Sequence, residues 1–401
     1  MTGTTTVVVV GGGYAGVMAA NRLTSRDGVS VTLVNPRATF VERIRLHQLV
    51  GGSDDAVVAY SDVLAPAVRL TVDTVTRIDP AGRGVALAGG DNLDYDYLVY
   101  AVGSGSADPR VPGAARYAYP IAGLEEAARL RPVLDATPAT APVTVVGGGP
   151  TGIETAAELA EAGRPVTLVC GSVLGPYLHA GGRRAVARRL AALGVTVLAG
   201  PHASVTTVTA DAVRLADGRE LPSAVTIWTA GFGVPDLAAR SGLRTDALGR
   251  LLTDETLTSV DDARIVAAGD SAAPSGLPLR MSCQAAIPLG ARAADTVLSR
   301  LDGARPAPLQ QLFAGQCLSL GRRGGTFQFA HRYDEAVPLH LAGRLAARLK
   351  EVVCRQTVSA LADEAGKPGA YRLHRISGGP HRRELLRSRH GADVPATVAR
   401  W

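Results

Sequence analysis

Unbroken apolar runs, rather than alternating ones, set the rhythm of this chain. Two four-residue runs, Val7-Val8-Val9-Val10 and Val143-Thr144-Val145-Val146, are apolar or β-branched at every position. Strands of that kind are covered on both faces, as inside a parallel sheet. Each run leads through three consecutive glycines into an Ala-rich stretch of helical period, and a second apolar run follows, at 29–34 and at 165–169. The pattern predicts a complete strand–helix–strand unit twice. Short β-prone pieces separated by turn residues come after each unit: Val68–Val72, Gly84–Leu87 and 95–102 in the first half, 195–198, Ala212–Leu215 and 224–228 in the second. A Pro- and Ala-rich connection, 111–141, with one helical stretch at 124–134, joins the halves. Past residue 235 a further buried strand, 264–268, ends in Gly269-Asp270. Between 339 and 361 the residues Leu341, Leu345, Leu349, Val352, Val353 and Val358 recur at helical spacing, with Arg344, Arg348, Lys350 and Arg355 between them. That stretch reads as an amphipathic helix, and the basic, turn-rich end of the chain, roughly the last 25 residues with Gly378-Gly379-Pro380 and Arg382-Arg383, reads as a poorly ordered tail.

The glycine clusters carry the first chemistry. Gly11-Gly12-Gly13-Tyr14-Ala15-Gly16 and Gly147-Gly148-Gly149-Pro150-Thr151-Gly152 both match G-x-G-x-x-G between a strand and a helix. The first glycine permits a tight turn, the second lets backbone approach a pyrophosphate, and the third lets helix and strand pack closely. The helix N-terminus adds partial positive charge. A lone match is as often a flexible turn. Two in full strand–turn–helix context point to two dinucleotides, a flavin that stays bound and a nicotinamide cofactor that visits.

Composition narrows the classes. With 46% hydrophobic and 19% charged residues in 401, the chain can bury two or three ordinary cores. The net charge of +6 comes from arginines spread along the chain, with no basic stripe and interleaved aromatics, so nucleic acid is not an expected partner. The four cysteines, Cys170, Cys283, Cys317 and Cys354, form no C-x-x-C, which argues against a contiguous dithiol centre and against a metal site. Cys283 reads as structural filler rather than a reactive thiol. The absence of a signal-peptide pattern and of any bilayer-length apolar run leads us to expect a cytoplasmic protein.

In their order, the motifs resemble those of the two-dinucleotide-binding flavoprotein superfamily of pyridine-nucleotide oxidoreductases. The type II NADH dehydrogenase branch is the nearest likeness, with apoptosis-inducing-factor-like flavoproteins close by. Beyond the fingerprints, Tyr97 to Ser104 is similar to the family's strand followed by Ala-Thr-Gly, Trp228-Thr229-Ala230-Gly231-Phe232 looks like its repeat, and Ala268-Gly269-Asp270 looks like the second flavin motif. The likeness spans 7–294. It implies an α/β fold of two Rossmann-like dinucleotide-binding domains, for FAD and for NAD(P)H, the second inserted in the first. The limits implied are 1–112 and 236–320 for FAD, 113–235 for NAD(P)H, and 321–401 for a C-terminal region with the amphipathic helix and basic tail.

The resemblance also assigns roles. Gly11, Gly13, Tyr14, Ala15 and Gly16, with Ala101, Val102, Gly103, Gly269 and Asp270, fall to FAD. Gly147, Gly149, Pro150, Thr151, Gly152, Ala230 and Gly231 fall to NAD(P)H. Glu154 matches a glutamate near both rings, able to orient the nicotinamide or relay a proton; a dipole-complementing glutamate in an early helical turn is the plainer alternative. Arg43 is placed to contact phosphate, and His47 or Gln48 to reach the flavin edge, unless that segment is simply a solvated helix face. At Gln284 and Ala285 a helix N-terminus would face the flavin pyrimidine ring.

Departures from the family pattern shift the expectation. The ribose position after the first unit is Asn35, followed by Pro36-Arg37, and after the second unit it is Cys170, followed by Gly171-Ser172. Without an acid at the second position, the main barrier to a 2′-phosphate is gone, and Ser172, Arg183 or Arg184 could reach it. The cofactor is therefore NADPH or NADH, with a lean to NADPH or dual use. The family's glutamine pair that borders quinone is replaced by Pro288-Leu289. The expected activity is hydride transfer from NAD(P)H to flavin, with electrons passing to a quinone or quinone-like aromatic acceptor. A flavin-dependent oxidoreductase of secondary metabolism, a ferredoxin-reductase-like enzyme and a non-catalytic NAD(P)H-sensing flavoprotein are the alternatives. The amphipathic helix fits packing on the body or a homodimer contact better than peripheral membrane association, for it lacks aromatic anchors.

Overall fold

A computed structural model describes residues 4–390. Both predicted strand–helix–strand units are present. Thr5–Val10, the helix Tyr14–Leu23 and Val29–Asn35 form the first; Val143–Val146, the helix Pro150–Glu161 and Val166–Val169 form the second. Each unit nucleates a five-stranded sheet whose neighbours all run parallel. The first has the order Ile265–Ala267, Tyr97–Tyr100, Thr5–Val10, Val29–Asn35, Val68–Val72. Ile265–Ala267 thus returns to the first sheet after the chain has built the second. That second sheet has the order Ala118–Pro120, Val225–Trp228, Val143–Val146, Val166–Val169, Thr196–Leu198. A two-residue ladder, Gly105–Ser106 against Phe232–Gly233, ties the outgoing and returning connections together.

The cores follow from the valine runs. Val7, Val9, Val31 and Leu33 are buried beneath the Tyr14 helix with Val17 and Met18, while Val143, Val145 and Leu168 are buried with Ile153 and Ala156 of the Pro150 helix. The third glycine of each fingerprint sets that packing: a Cβ on Gly16 would stand 1.8 Å from the Gly11 carbonyl oxygen, and one on Gly152 2.0 Å from that of Gly147. A third contact of this kind joins the Tyr14 helix to the helix Cys283–Leu301. There Gly290 abuts the Ala15 carbonyl, which a Cβ would approach to 2.2 Å.

The C-terminal region departs from the sequence expectation. Residues 336–342 form a strand, in an antiparallel sheet with Gly315–Ser319 and Gly325–Ala330, and the helix begins only at Arg344 and runs to Gly366. Gly343, at φ +81°, makes the break. The buried stripe of this helix is Ala346, Lys350, Cys354, Thr357, Leu361 and Glu364, whereas Leu345 and Val352 are exposed. Apolar spacing pointed to the wrong face because polar side chains occupy the inner one. Part of the expected disordered tail is a helix, His381–His390, held by Arg382 bridging to Glu255 and to the carbonyls of Leu277 and Pro274; residues 391–401 lie outside the described ones. Among the described residues, no helix is long and apolar enough to cross a membrane.

Candidate active site

The first glycine turn forms an open cradle. Gly11, at φ +104°, lies so close to the Ala101 carbonyl that a Cβ would stand 2.3 Å from its oxygen. Gly13 faces open space, so backbone can approach a ligand there. The unpaired N–H groups of Tyr14, Ala15 and Gly16 begin the helix behind it. The Tyr14 side chain is not part of the cradle, since it is buried edge-on against Phe40 at 5.0 Å. Asn35 braces the turn: its Oδ1 accepts from the Gly12 N–H at 3.0 Å, and its amide donates to the Arg37 carbonyl at 2.9 Å. Pro36 is exposed, and Arg37 forms a two-pronged ion pair with Glu125. Across the cradle, Asp270 accepts from Ser104 Oγ at 2.7 Å and lies 3.5 Å from Arg43 Nη1, next to Val102 and Gly103. Arg43, Ser104, Gly269 and Asp270 therefore converge from three separate segments.

The Cys283 helix ends at the same place. Ser282 caps it, its Oγ accepting from the Ala285 N–H at 3.3 Å. Pro288 sits inside this helix, lacks an N–H, and so leaves the Gln284 carbonyl without its intrahelical partner. The Gln311 side-chain amide fills the gap, donating to that carbonyl at 3.0 Å. Nothing in the local sequence around Pro288 announces this repair, because Gln311 lies 27 residues from Gln284.

The second glycine turn repeats the geometry. Gly147, at φ +129°, is pressed against Thr229, and Gly149 faces open space before Pro150, Thr151 and Gly152 start the helix. A cavity of about 220 Å³ opens beside it, lined by Gly147, Cys170, Gly171, Ser204, Trp228 and Ala230 among others. Trp228 Nε1 donates to the Ala230 carbonyl at 2.9 Å, which fixes the wall next to Gly231. Burial pushes the Cys170 thiol up to about 12, so it is a neutral wall group. Ser172, next to the lining residue Gly171, is exposed, as is Arg184, but Arg183 turns to the Leu178 carbonyl at 3.1 Å.

Glu154, in the first turns of the Pro150 helix, is buried where that helix meets His47 and the C-terminal region. Its Oε1 accepts from the Ser319 N–H at 2.8 Å and pairs with Lys350 Nζ at 3.1 Å, and its Oε2 lies 3.8 Å from His47 Nδ1. Burial works against the charge of Lys350, but the Glu154 carboxylate outweighs it and holds the ammonium well above the usual lysine range. Burial pushes His47 down to about 4, against the pull of Glu154, so its imidazole is neutral at physiological pH. The thiols of Cys283, at about 11, and Cys317 are raised by burial and stay protonated. Lys350 and Ser319 were absent from the sequence-based candidates. One signal was available: of 42 Lys and Arg residues only Lys350 and Lys367 are lysine, so a lysine in an arginine-using chain stands out.

Comparison with known proteins decides the family. The family model for pyridine nucleotide-disulphide oxidoreductases matches residues 5–290. The chain belongs to that family. An NADH dehydrogenase-like protein of Mycobacterium tuberculosis is 31% identical over 353 residues, covering 80% of this chain and 87% of the relative. A type II NADH:quinone oxidoreductase of the same organism is 28% identical, covering 79% and 78%. Among solved structures, NDH2 from Plasmodium falciparum in complex with NADH superposes with a TM-score of 0.75 at 16% identity, covering 92% and 99%. The protein is accordingly a flavoprotein oxidoreductase of NADH dehydrogenase type, with sites for FAD and a nicotinamide dinucleotide. Both open glycine cradles accommodate such groups without a side chain in the way.

Proposed function

We propose that this protein oxidises NAD(P)H and passes the electrons to a quinone or a quinone-like aromatic acceptor. In this reading the FAD pyrophosphate lies over Gly11, Gly13 and the N–H groups of Tyr14, Ala15 and Gly16. Asp270, Arg43 and the Ala101–Gly103 turn flank it, and the Gln284–Ala285 end of the Cys283 helix faces its ring. Gly147, Gly149, Thr151 and Gly152 hold the nicotinamide dinucleotide. When bound, FAD supplies a two-electron relay between nicotinamide and acceptor. The protein supplies binding, orientation and protons.

The observation that carries this reading is the buried Glu154–Lys350 pair. A quinone needs protons along with electrons; the ammonium keeps a proton inside the protein, and the negative charge that develops on an acceptor being reduced can draw it across, after which the pair is refilled. The type II NADH:quinone oxidoreductase among the relatives agrees with this acceptor class. The test is steady-state oxidation of NADH and NADPH with ubiquinone and naphthoquinone analogues, compared with oxygen. Quinone rates at least about 100-fold above the oxygen rate are expected; rates no higher than with oxygen overturn the acceptor assignment.

A further inference from the structure

The overall reaction draws a proton from water. A C4–H bond of the nicotinamide breaks and delivers two electrons and one hydrogen; the quinone gains two O–H bonds, so the second hydrogen must come from solvent. Glu154 and Lys350 are buried and cannot take it up directly. One turn along the same helix lies a second buried carboxylate, Glu158. Residues four apart share a helix face, so Glu158 stands on the side of Glu154.

Glu158 is arranged as a link rather than as a structural ion pair. Its Oε1 accepts from the hydroxyl of Ser53 at 2.5 Å, and Ser53 is exposed. Among the described residues its Oε2 is buried with no hydrogen-bond partner, a cost of about 1–3 kcal/mol that the fold carries. The charged groups facing it are Arg322 from the loop after the Gly315–Ser319 strand and Glu161 and Glu154 from its own helix; burial outweighs the rest and raises its pKa. The short helix Leu46–Gly51 brings both ends of the route together. It carries His47, whose Nδ1 is 3.8 Å from Glu154 and whose Nε2 also lacks a partner among the described residues, and it ends at Gly52, whose φ of +78° turns Ser53 onto Glu158. Gly51 leaves room for the carboxylate, since a Cβ there would lie 2.4 Å from Glu158 Cγ.

We propose that Ser53 and Glu158 form the proton inlet of this enzyme, carrying protons from solvent to Glu154 and Lys350. This rests on the reading of Glu154 and Lys350 as the proton source for the acceptor. Glu158 gives up the proton from one oxygen toward Glu154 and is reprotonated on the other through Ser53. It acts through Glu154 and touches neither cofactor nor acceptor.

The experiment compares three acceptors in the holoenzyme and in E158Q, S53A and E158D. Ferricyanide takes electrons without protons, dichlorophenolindophenol takes both, and a soluble quinone takes both at the proposed site. FAD content and the anaerobic bleaching of the flavin band by NAD(P)H report folding and hydride transfer. In E158Q the ferricyanide rate is expected to stay within about two-fold, while quinone and indophenol rates fall about 10-fold, more at high pH, with a larger solvent deuterium effect. S53A should show a smaller loss, and E158D should recover part of the rate. Equal quinone, indophenol and ferricyanide rates relative to the parent, at every pH, overturn the inlet. If the parent reduces indophenol but no quinone, the acceptor assignment fails; the inlet then stands or falls on the indophenol rate of E158Q.

Discussion

Replacing Lys350 with methionine keeps the length and packing of the stem and removes only the ammonium. The consequence follows from burial. Exposed ion pairs contribute about 0–1 kcal/mol, but removing one partner of a buried pair costs about 3–5 kcal/mol, because the other charge remains without compensation. Lys350 and Glu154 are both buried and stand 3.1 Å apart, so the larger range applies. The Ser319 N–H still serves Glu154 Oε1 after the change, which places the expectation at the lower end, about 3 kcal/mol. E154Q, which strands the ammonium, should cost about 3 kcal/mol as well. E154Q/K350M leaves no charge at this pair and should lie within about 1 kcal/mol of the parent, so the two changes couple by about 5 kcal/mol. Chemical denaturation of the four proteins at saturating FAD measures this, with the ligand contribution held constant. In the same set, flavin bleaching by NAD(P)H should persist in K350M while quinone turnover falls about 100-fold. The reasoning is refuted if K350M is as stable as the parent, or if the losses of the two single variants simply add.

Three further outcomes are expected. Cys170 lines the nicotinamide-side cavity, so C170E should lower kcat/KM for NADPH about 10- to 100-fold, or about 1.4–2.7 kcal/mol, and spare NADH; equal damage to both would mean that the residue does not face the ribose. His47 has its pKa lowered by burial from 6.5 to about 4, and a depressed folded value contributes stability that is present above 6.5 and lost as pH falls toward 4. The loss amounts to roughly 3 kcal/mol at its fullest, so H47Q should flatten the stability–pH curve across that window, and an unchanged slope would count against it. Finally, Q311L should lose about 1–2 kcal/mol because the Gln284 carbonyl is left without a donor, and in the P288A background, where the helix supplies its own N–H, most of that loss should vanish in denaturation midpoints.

The fold was legible where backbone chemistry dictates sequence. A parallel strand covered on both faces must be apolar throughout, so Val7–Val10 and Val143–Val146 announce themselves. A turn at φ +104° pressed against a carbonyl admits only glycine, and so Gly11 does too. Asp270 and Arg43 could be named as candidates, but their meeting through Ser104 could not, for it depends on how three distant segments pack.

What escaped the sequence is the inside of the C-terminal helix. A reading by hydrophobic period assumes that apolar residues face inward, and here Leu345 and Val352 face out while Lys350, Thr357 and Glu364 face in. The two inward charges have partners on distant segments, Lys350 on Glu154 and Glu364 on Arg22, and Glu364 also accepts from the nearby N–H groups of Gly369 and Tyr371; Thr357 is satisfied within its own helix by the Cys354 carbonyl. Such a pairing contributes nothing to local periodicity, because its stabilising half lies hundreds of residues away. A buried charge is retained only where its partner is also present. The inverted face therefore identifies the elements built to meet: the Pro150 helix with its two buried carboxylates, and the C-terminal helix that brings the one buried ammonium among the described residues to them.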